Sequence, residues 1–157
     1  MAVKPIPDAY HTVTPYLIVA DAARALAFYR QAFGATERLK LEGPGGRIMH
    51  AEIGLGDSTV MLADECPETG ARGPRSLGGT PVHLLLYVQD VDAQVRRAVE
   101  AGAQVVRPVK DQFYGDRSGT VEDPFGHSWT LATHVEDVPP EETRRRFDEL
   151  LRQPGGA

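Results

Sequence analysis

The chain has 157 residues, of which 41% are hydrophobic and 25% are charged, a balance typical of a single globular domain with a hydrophobic core. Its formal net charge of −5 argues against a nucleic-acid partner, because phosphate binding needs clustered Lys and Arg. No apolar run approaches the roughly 20 residues of a membrane helix, and no charged segment followed by an apolar stretch marks a signal peptide, so neither a membrane partner nor secretion is expected.

The first elements form a strand, a helix and three further strands. A β-branched strand begins at Leu17 and ends at Asp21, whose carboxylate can cap a helix over 22–33. Gly34 is placed to end that helix, and a strand over 37–41 follows. Runs over 50–55 and 58–63 flank Gly56-Asp57 and predict a hairpin with a tight turn.

A Pro- and Gly-rich stretch over 66–79 separates this unit from the next one and predicts a linker. It holds the one cysteine, Cys66, which cannot form an internal disulfide. Such cysteine usage is typical of a reducing compartment and predicts a cytoplasmic protein.

The second unit repeats the order of the first. A strand ends at Asp90, a helix begins at Val91 and is closed by Gly102, and strands over 105–109, 119–122 and 128–133 follow. Seven identities keep nearly one register. Val19 and Asp21 match Val88 and Asp90, Gly34 and Ala35 match Gly102 and Ala103, and Glu52, Gly56 and Ser58 match Glu122, Gly126 and Ser128.

The repeat predicts one domain over 1–157, with module one at about 12–65, the linker at 66–79 and module two at about 80–134. A C-terminal helix is expected over about 138–152, with Asp137 as its cap and Pro139 in its first turn. Its apolar stripe is expected to pack on the outside of the sheet or on a second subunit. The stripe consists of Phe147, Leu150 and Leu151.

From about Thr12 to His134 the chain resembles the vicinal oxygen chelate superfamily of glyoxalases, bleomycin resistance proteins and dioxygenases. The residues that carry the likeness are 15–21 (PYLIVAD) and 27–35 (AFYRQAFGA), and 48–53, 113–117 and 123–129 are similar to the PhnB-like branch. The resemblance implies an α+β fold in which two tandem βαβββ modules form a curved, incomplete barrel-like sheet with outer helices. It also implies a small-molecule ligand in the concave interior and a homodimer, in some members with pockets shared between chains.

The family's enzymes hold a divalent metal ion on four strands, and only one of the matching positions here keeps a good ligand. His83 falls on the family histidine of module two, whereas its counterpart in module one is Thr14. Thr130 stands where the family has a glutamate, and Val60, or Met61 after a one-residue slip, stands at the matching place in module one. Neither a metal nor another cofactor is therefore expected.

A non-standard metal site is the alternative. His50 and Glu52 alternate along one strand, so their side chains share a face, and with His83 they would supply two nitrogens and a carboxylate. A two-residue turn pairs Ile53 with Val60 and places His50 and Glu52 on the opposite face. A slipped register places them with Met61, where they could reach the pocket, and the sequence does not decide between the two. The match of Glu52 with Glu122 instead favours a structural role common to both modules. A lone His83 is typical of a hydrogen-bonded pocket or core histidine.

Other candidate ligand contacts lie in module two. Tyr114 could donate a hydrogen bond and Arg117 could clamp a carboxylate or phosphate, unless Arg117 pairs internally with Asp116. By the family pattern Thr130 faces the cavity and Trp129 faces the core.

Two functions stay open on these residues. The first is a binding or resistance-type protein that holds a small, cationic or aromatic molecule. The second is a metal-dependent lyase, isomerase or dioxygenase that uses His83, His50 and Glu52. The missing metal ligands favour the first, and the sequence does not name the ligand.

Overall fold

A computed structural model describes residues 3–155, and its strands and helices follow the predicted order. Module one contains β1 (Tyr16–Val19), α1 (Ala22–Phe33), β2 (Thr36–Glu42), β3 (Ile48–Leu55) and β4 (Ser58–Asp64). The segment between the modules carries a 3-10 turn (Pro67–Thr69) and the short helix α2 (Pro74–Leu77). Module two contains β5 (His83–Tyr87), α3 (Val91–Glu100), β6 (Gln104–Asp111), β7 (Asp116–Glu122) and β8 (Ser128–His134), and α4 (Pro140–Arg152) follows.

Each module forms one four-stranded sheet of the same topology. Sheet one has the order β1-β4-β3-β2 and sheet two the order β5-β8-β7-β6. In both sheets the first strand pairs in parallel with the last, and the other neighbours are antiparallel. The predicted α+β fold of two tandem βαβββ modules is confirmed.

The two long module helices begin at equivalent aspartates. The Asp21 carboxylate accepts a hydrogen bond from the amide of Arg24 at 3.0 Å, and Asp90 accepts one from the amide of Ala93 at the same distance. Gly34 ends α1 with φ at +70°, a conformation that favours glycine. In α3 the C-cap is Ala101, and the predicted Gly102 follows it by one residue.

The core lies between the helices and one face of each sheet. Along each strand, alternate residues point to this face, and their apolar side chains pack under α1 or α3. The helices also contact each other, and Tyr29 of α1 donates a 2.6 Å hydrogen bond to the buried Asp123 of module two. Large side chains dominate this core. They include Phe28, Tyr29, Ile53, Leu62, Trp129 and Leu131.

The residues that alternate with the core positions lie on the opposite face of each sheet, which we call the open face. On sheet one this face carries Tyr16, Ile18, Leu39, Leu41, His50, Glu52 and Met61. On sheet two it carries His83, Leu85, Tyr87, Asp116, Ser118, Thr120, Thr130, Ala132 and His134. Several of these side chains are large and exposed. Tyr87, for example, is 60% exposed.

The C-terminal helix starts later than expected and without the predicted cap. Pro139 is the N-cap of α4 and makes no side-chain cap, while the Asp137 carboxylate pairs with His134 instead. Phe147 lies 5.6 Å from the ring of Phe113, so the helix packs beside the turn between β6 and β7. Within residues 3–155, no helix has the length and apolar character needed to cross a membrane.

Candidate functional site

The hairpin of β3 and β4 places His50 and Glu52 on the open face of sheet one. Its turn has two residues, with Ile53 opposite Val60 and Glu52 opposite Met61. Ile53 and Val60 are buried under α1, so their neighbours point away from the core. Val60 belongs to the core, so His50 and Glu52 lie on the open face with Met61 in the two-residue register, without the slip that the sequence left open.

Four side chains on this face form one hydrogen-bonded chain, which we call the Glu52 network: Tyr10, Glu52, His50 and Tyr16. Tyr10 donates from its hydroxyl to Glu52 Oε2 at 2.7 Å, and His50 Nε2 lies 3.0 Å from Glu52 Oε1. The Tyr16 hydroxyl lies 2.9 Å from His50 Nδ1. Both ring nitrogens of the histidine are therefore engaged, and its orientation is fixed from both sides.

The network favours an ionised carboxylate between protonated phenols. Hydrogen bonds from His50 and then from Tyr10 lower the pKa of Glu52 and outweigh the opposing effect of burial. The pKa of Tyr10 is raised, chiefly by its hydrogen bond to Glu52. The pKa of Tyr16 is raised by burial and then by the charge of Glu52. The open face thus carries a largely buried negative charge at neutral pH.

Apolar side chains surround this charge. Leu39 lies opposite Glu52 and Leu41 opposite His50 across the β2–β3 ladder, and they are 40% and 51% exposed. Met61 lies opposite Glu52 on β4. An apolar surface with a few placed polar groups is the usual composition of a small-molecule site.

The segment before β1 closes one end of the face. Thr59 donates from its hydroxyl to the carbonyl of Ala9 at 2.7 Å, and this contact brings Tyr10 over Glu52. A groove of about 460 Å³ lies beside it and includes Ile6, Tyr10 and Met61 in its wall. The contact of Tyr10 with Glu52 was not predicted, because the two residues lie 42 positions apart and Tyr10 lies outside both repeats.

His83 lies on the other sheet. It is exposed on the open face at the start of β5, opposite Ser128, so it is not a core histidine in the single chain, and its role in ligand binding stays a prediction. Within residues 3–155, no group of three His, Cys, Asp or Glu side chains is arranged to hold a metal ion. The triad of His83, His50 and Glu52 is therefore not assembled in one chain.

The remaining family metal positions do not offer suitable donors either. Thr14 donates its hydroxyl to the carbonyl of His11 at 2.8 Å, and the hydroxyls of Thr130 and Thr120 share a hydrogen bond of 3.1 Å. Met61 offers only a thioether and Val60 offers no donor. This set does not fit a hard or borderline divalent cation.

Arg117 is engaged in ion pairs within the chain. Its guanidinium donates two hydrogen bonds to Asp92 at 2.7 and 3.0 Å and one to Asp111 at 3.0 Å, and these contacts raise its pKa. The internal pairing is thus with Asp92 and Asp111 rather than with Asp116, and Arg117 ties α3 to β7. Its contact with a ligand stays a prediction. Tyr114 packs edge-on against Phe113 at 5.2 Å and is 42% exposed.

Sheet two has its own polar network, which was not predicted. The buried Asp116 accepts a 2.9 Å hydrogen bond from the Tyr87 hydroxyl and lies 2.8 Å from His134 Nδ1. The other ring nitrogen of His134 lies 2.8 Å from Asp137. These bonds attach the segment before α4 to the sheet. Glu122, the match of Glu52, forms an exposed ion pair with Arg75, so the expected common role of the two glutamates is wrong.

Two sheets of one topology, with helices on one face of each and polar clusters on the other, define a duplicated βαβββ protein. Residues 10–131 match the Glyoxalase/Bleomycin resistance protein/Dioxygenase superfamily, and the chain belongs to this family.

Similar proteins support this assignment. An uncharacterised protein of Mycobacterium tuberculosis (strain ATCC 25618 / H37Rv) is 48% identical over 129 residues, which cover 80% of this chain and 76% of that protein. The crystal structure of TioX from Micromonospora sp. ML1 has a TM-score of 0.62 at 30% identity and covers 78% of this chain and 97% of its own. A structure of an Arabidopsis thaliana gene product has a TM-score of 0.60 at 29% identity, with 78% and 98% covered.

Proposed function

We propose that this chain is a small-molecule-binding protein, of the ligand-binding or resistance type, that holds its ligand against the open face of sheet one without a metal ion. The observation that carries the proposal is the donor set at the family's four metal positions. Only His83 is a good ligand there, while Thr14, Thr130 and the Val60–Met61 pair are not.

The chemistry of the open face supports the same function. Glu52 and His50 are oriented by hydrogen bonds before any ligand arrives, and aliphatic side chains surround them. Such preorganisation lowers the entropic cost of binding. On this proposal His50 and Glu52 contact the ligand directly, and His83 and Thr130 would contribute from the open face of sheet two.

We also propose a cytoplasmic homodimer of the PhnB-like branch. Each chain exposes large apolar side chains on both open faces, among them Leu41 at 51% and Leu85 at 52%. Pairing of sheet one of one copy with sheet two of another would cover these surfaces and enclose a shared ligand site. The single cysteine supports the location.

A metal analysis combined with a binding screen tests the proposal. Purified protein is expected to carry no stoichiometric Zn, Ni, Mn or Fe, and its melting temperature is expected to rise with ligands from a library of small amphipathic molecules. If no library member stabilises the protein or shifts its amide resonances, the proposed function is wrong.

The second candidate is a metal-dependent lyase, isomerase or dioxygenase. It is favoured by one observation: His50, Glu52 and His83 all lie on open faces, so two paired copies could bring them together. Stoichiometric metal that is lost in a His83→Ala variant, but retained in Thr130→Ala, would establish it.

A further inference from the structure

We infer that the open face of sheet one selects a ligand that carries a protonated amine on an apolar, preferably aromatic, body, and that the hydroxyl oxygen of Tyr16 accepts the ligand's hydrogen bond. This inference rests on the proposed function, since it names the chemical class of ligand for the same face.

The first step concerns the tautomer of His50. An ionised carboxylate only accepts hydrogen bonds, so Glu52 Oε1, at 3.0 Å, requires the hydrogen of a neutral imidazole to lie on Nε2. His50 Nδ1 is then an acceptor, and the Tyr16 hydroxyl, at 2.9 Å, must donate to it. Glu52 therefore determines the direction of both hydrogen bonds.

The second step concerns what Tyr16 can still offer. With its hydrogen committed to His50, the hydroxyl oxygen retains only lone pairs, and within residues 3–155 it makes no other hydrogen bond. Tyr16 is 47% exposed, so a ligand can reach it. The network thus presents an acceptor to the ligand, and a ligand group that only accepts hydrogen bonds finds no partner at this oxygen.

The third step concerns charge. The Glu52 network carries one negative charge when the imidazole is neutral, and the chain as a whole carries −5. The nearby cation Arg38 is engaged with the Thr59 hydroxyl, and its effect on the pKa of Glu52 is the weakest of those acting on that group. A cationic donor is therefore favoured over a neutral one, and an anion is disfavoured.

The fourth step concerns the body of the ligand. Leu39, Leu41 and Met61 line the face beside the network and favour an apolar group. The rings of Tyr16 and His50 lie 5.5 Å apart at a tilt of 45°, and the Tyr16 ring can also hold a cation against its face. A protonated alkylamine that carries an aromatic ring can contact the Tyr16 hydroxyl, the negative charge and the apolar side chains at the same time.

The test uses three probes with the same phenyl body: 2-phenylethylamine, 2-phenylethanol and phenylacetate. Binding to the full chain is measured by amide chemical-shift titration at about pH 8, where an aliphatic amine is charged. The amine is expected to bind tightest and phenylacetate weakest, with the largest shifts in β1 and β3.

Three variants separate the steps. Tyr16→Phe is expected to weaken binding of the amine by about tenfold, because a hydrogen bond to a charged group is lost. Glu52→Gln removes the charge and is expected to bring the affinity for the amine down to that for the alcohol. Glu100→Gln is the matched control for Glu52→Gln, since it also removes one negative charge, but from an exposed position on α3, on the side of the sheet opposite the open face, and it should bind like the unmodified chain.

Several results would overturn the inference. They are equal or tighter binding of phenylacetate, unchanged amine affinity in Tyr16→Phe, and shifts confined to sheet two. Each would leave the proposed function standing, because a small molecule would still bind. Failure of all three probes while other library molecules bind also overturns the inference alone. If neither the three probes nor any library molecule binds, both the inference and the proposed function are wrong.

Discussion

Module one and module two share one topology, yet their open faces use carboxylates for different purposes. In module one, Glu52 orients a histidine whose other nitrogen meets the half-exposed Tyr16, among aliphatic side chains. In module two, Asp116 and Asp137 hold His134 and so attach the segment before α4 to the sheet. The difference indicates that the duplicated scaffold leaves the open faces free to diverge, toward the proposed ligand recognition in one module and toward chain attachment in the other.

The largest expected difference between the modules is the loss in the free energy of unfolding when the aspartate in the turn of each hairpin is removed. Asp123 is buried and accepts hydrogen bonds from Tyr29, Trp129 and two backbone amides. Asp123→Ala should lower the free energy of unfolding by about 4 kcal/mol, because four buried donors lose their acceptor. Urea denaturation monitored by tryptophan fluorescence measures this loss.

The matched variant in module one is Asp57→Ala, whose side chain is 90% exposed. It should change the free energy of unfolding by less than about 0.5 kcal/mol. Similar losses in both variants would contradict the view that the Asp123 turn, unlike the Asp57 turn, depends on hydrogen bonds to its buried carboxylate.

A smaller effect on stability is expected at Arg117, whose ion pairs join α3 and β6 to β7. Arg117→Met keeps the aliphatic stem but removes the pairs with Asp92 and Asp111. We expect a decrease in stability well below that of Asp123→Ala, and ligand titrations that match the unmodified chain. A loss of binding without a loss of stability would show that Arg117 contacts the ligand.

The smallest effect should appear as a pH dependence at His134. Hydrogen bonds to Asp116 and then to Asp137 raise the pKa of His134 above its usual value of about 6.5. A raised pKa in the folded state means that the stabilisation is complete below about 6.5 and is lost as the pH rises through the folded-state value. Unfolding by urea at successive pH values should show this decline.

Two variants isolate this contribution. His134→Gln should flatten the decline, and Asp137→Asn, which removes only the weaker of the two contacts, should give an intermediate slope. If His134→Gln keeps the full decline, the network of module two does not couple protonation to folding.

Much of the fold follows from local signals. The bounds of α1 coincide with the prediction, because Asp21 and Gly34 mark its ends and the apolar period fills the space between. The seven matched residues of the repeat indicated the equivalence of the modules, and the strand orders confirm it. Capping and periodicity act within a few residues, so they can be recognised in a single sequence.

The site was harder to predict from the sequence than the fold, because the residues that contact each other there are distant in sequence. Tyr10 lies 42 positions from Glu52 in sequence, and no periodicity or motif predicts that the two side chains are in contact. Arg117 was compared with its neighbour Asp116, whereas its partner Asp92 lies on the helix that packs against β7. The sequence left the orientation of His50 and Glu52 open, because a strand pattern shows which residues share a face, but not which face the helix covers.

Only the helix-facing side chains build the hydrophobic core, and this division has an evolutionary consequence. Substitutions at Leu39, Leu41 or Leu85 open no cavity, since these side chains are already exposed. If a ligand binds there as proposed, its specificity can therefore change by single substitutions while the core of each chain keeps its folding energy. Because substitutions at these three positions leave the core intact, they are suitable for a mutant library aimed at new ligands.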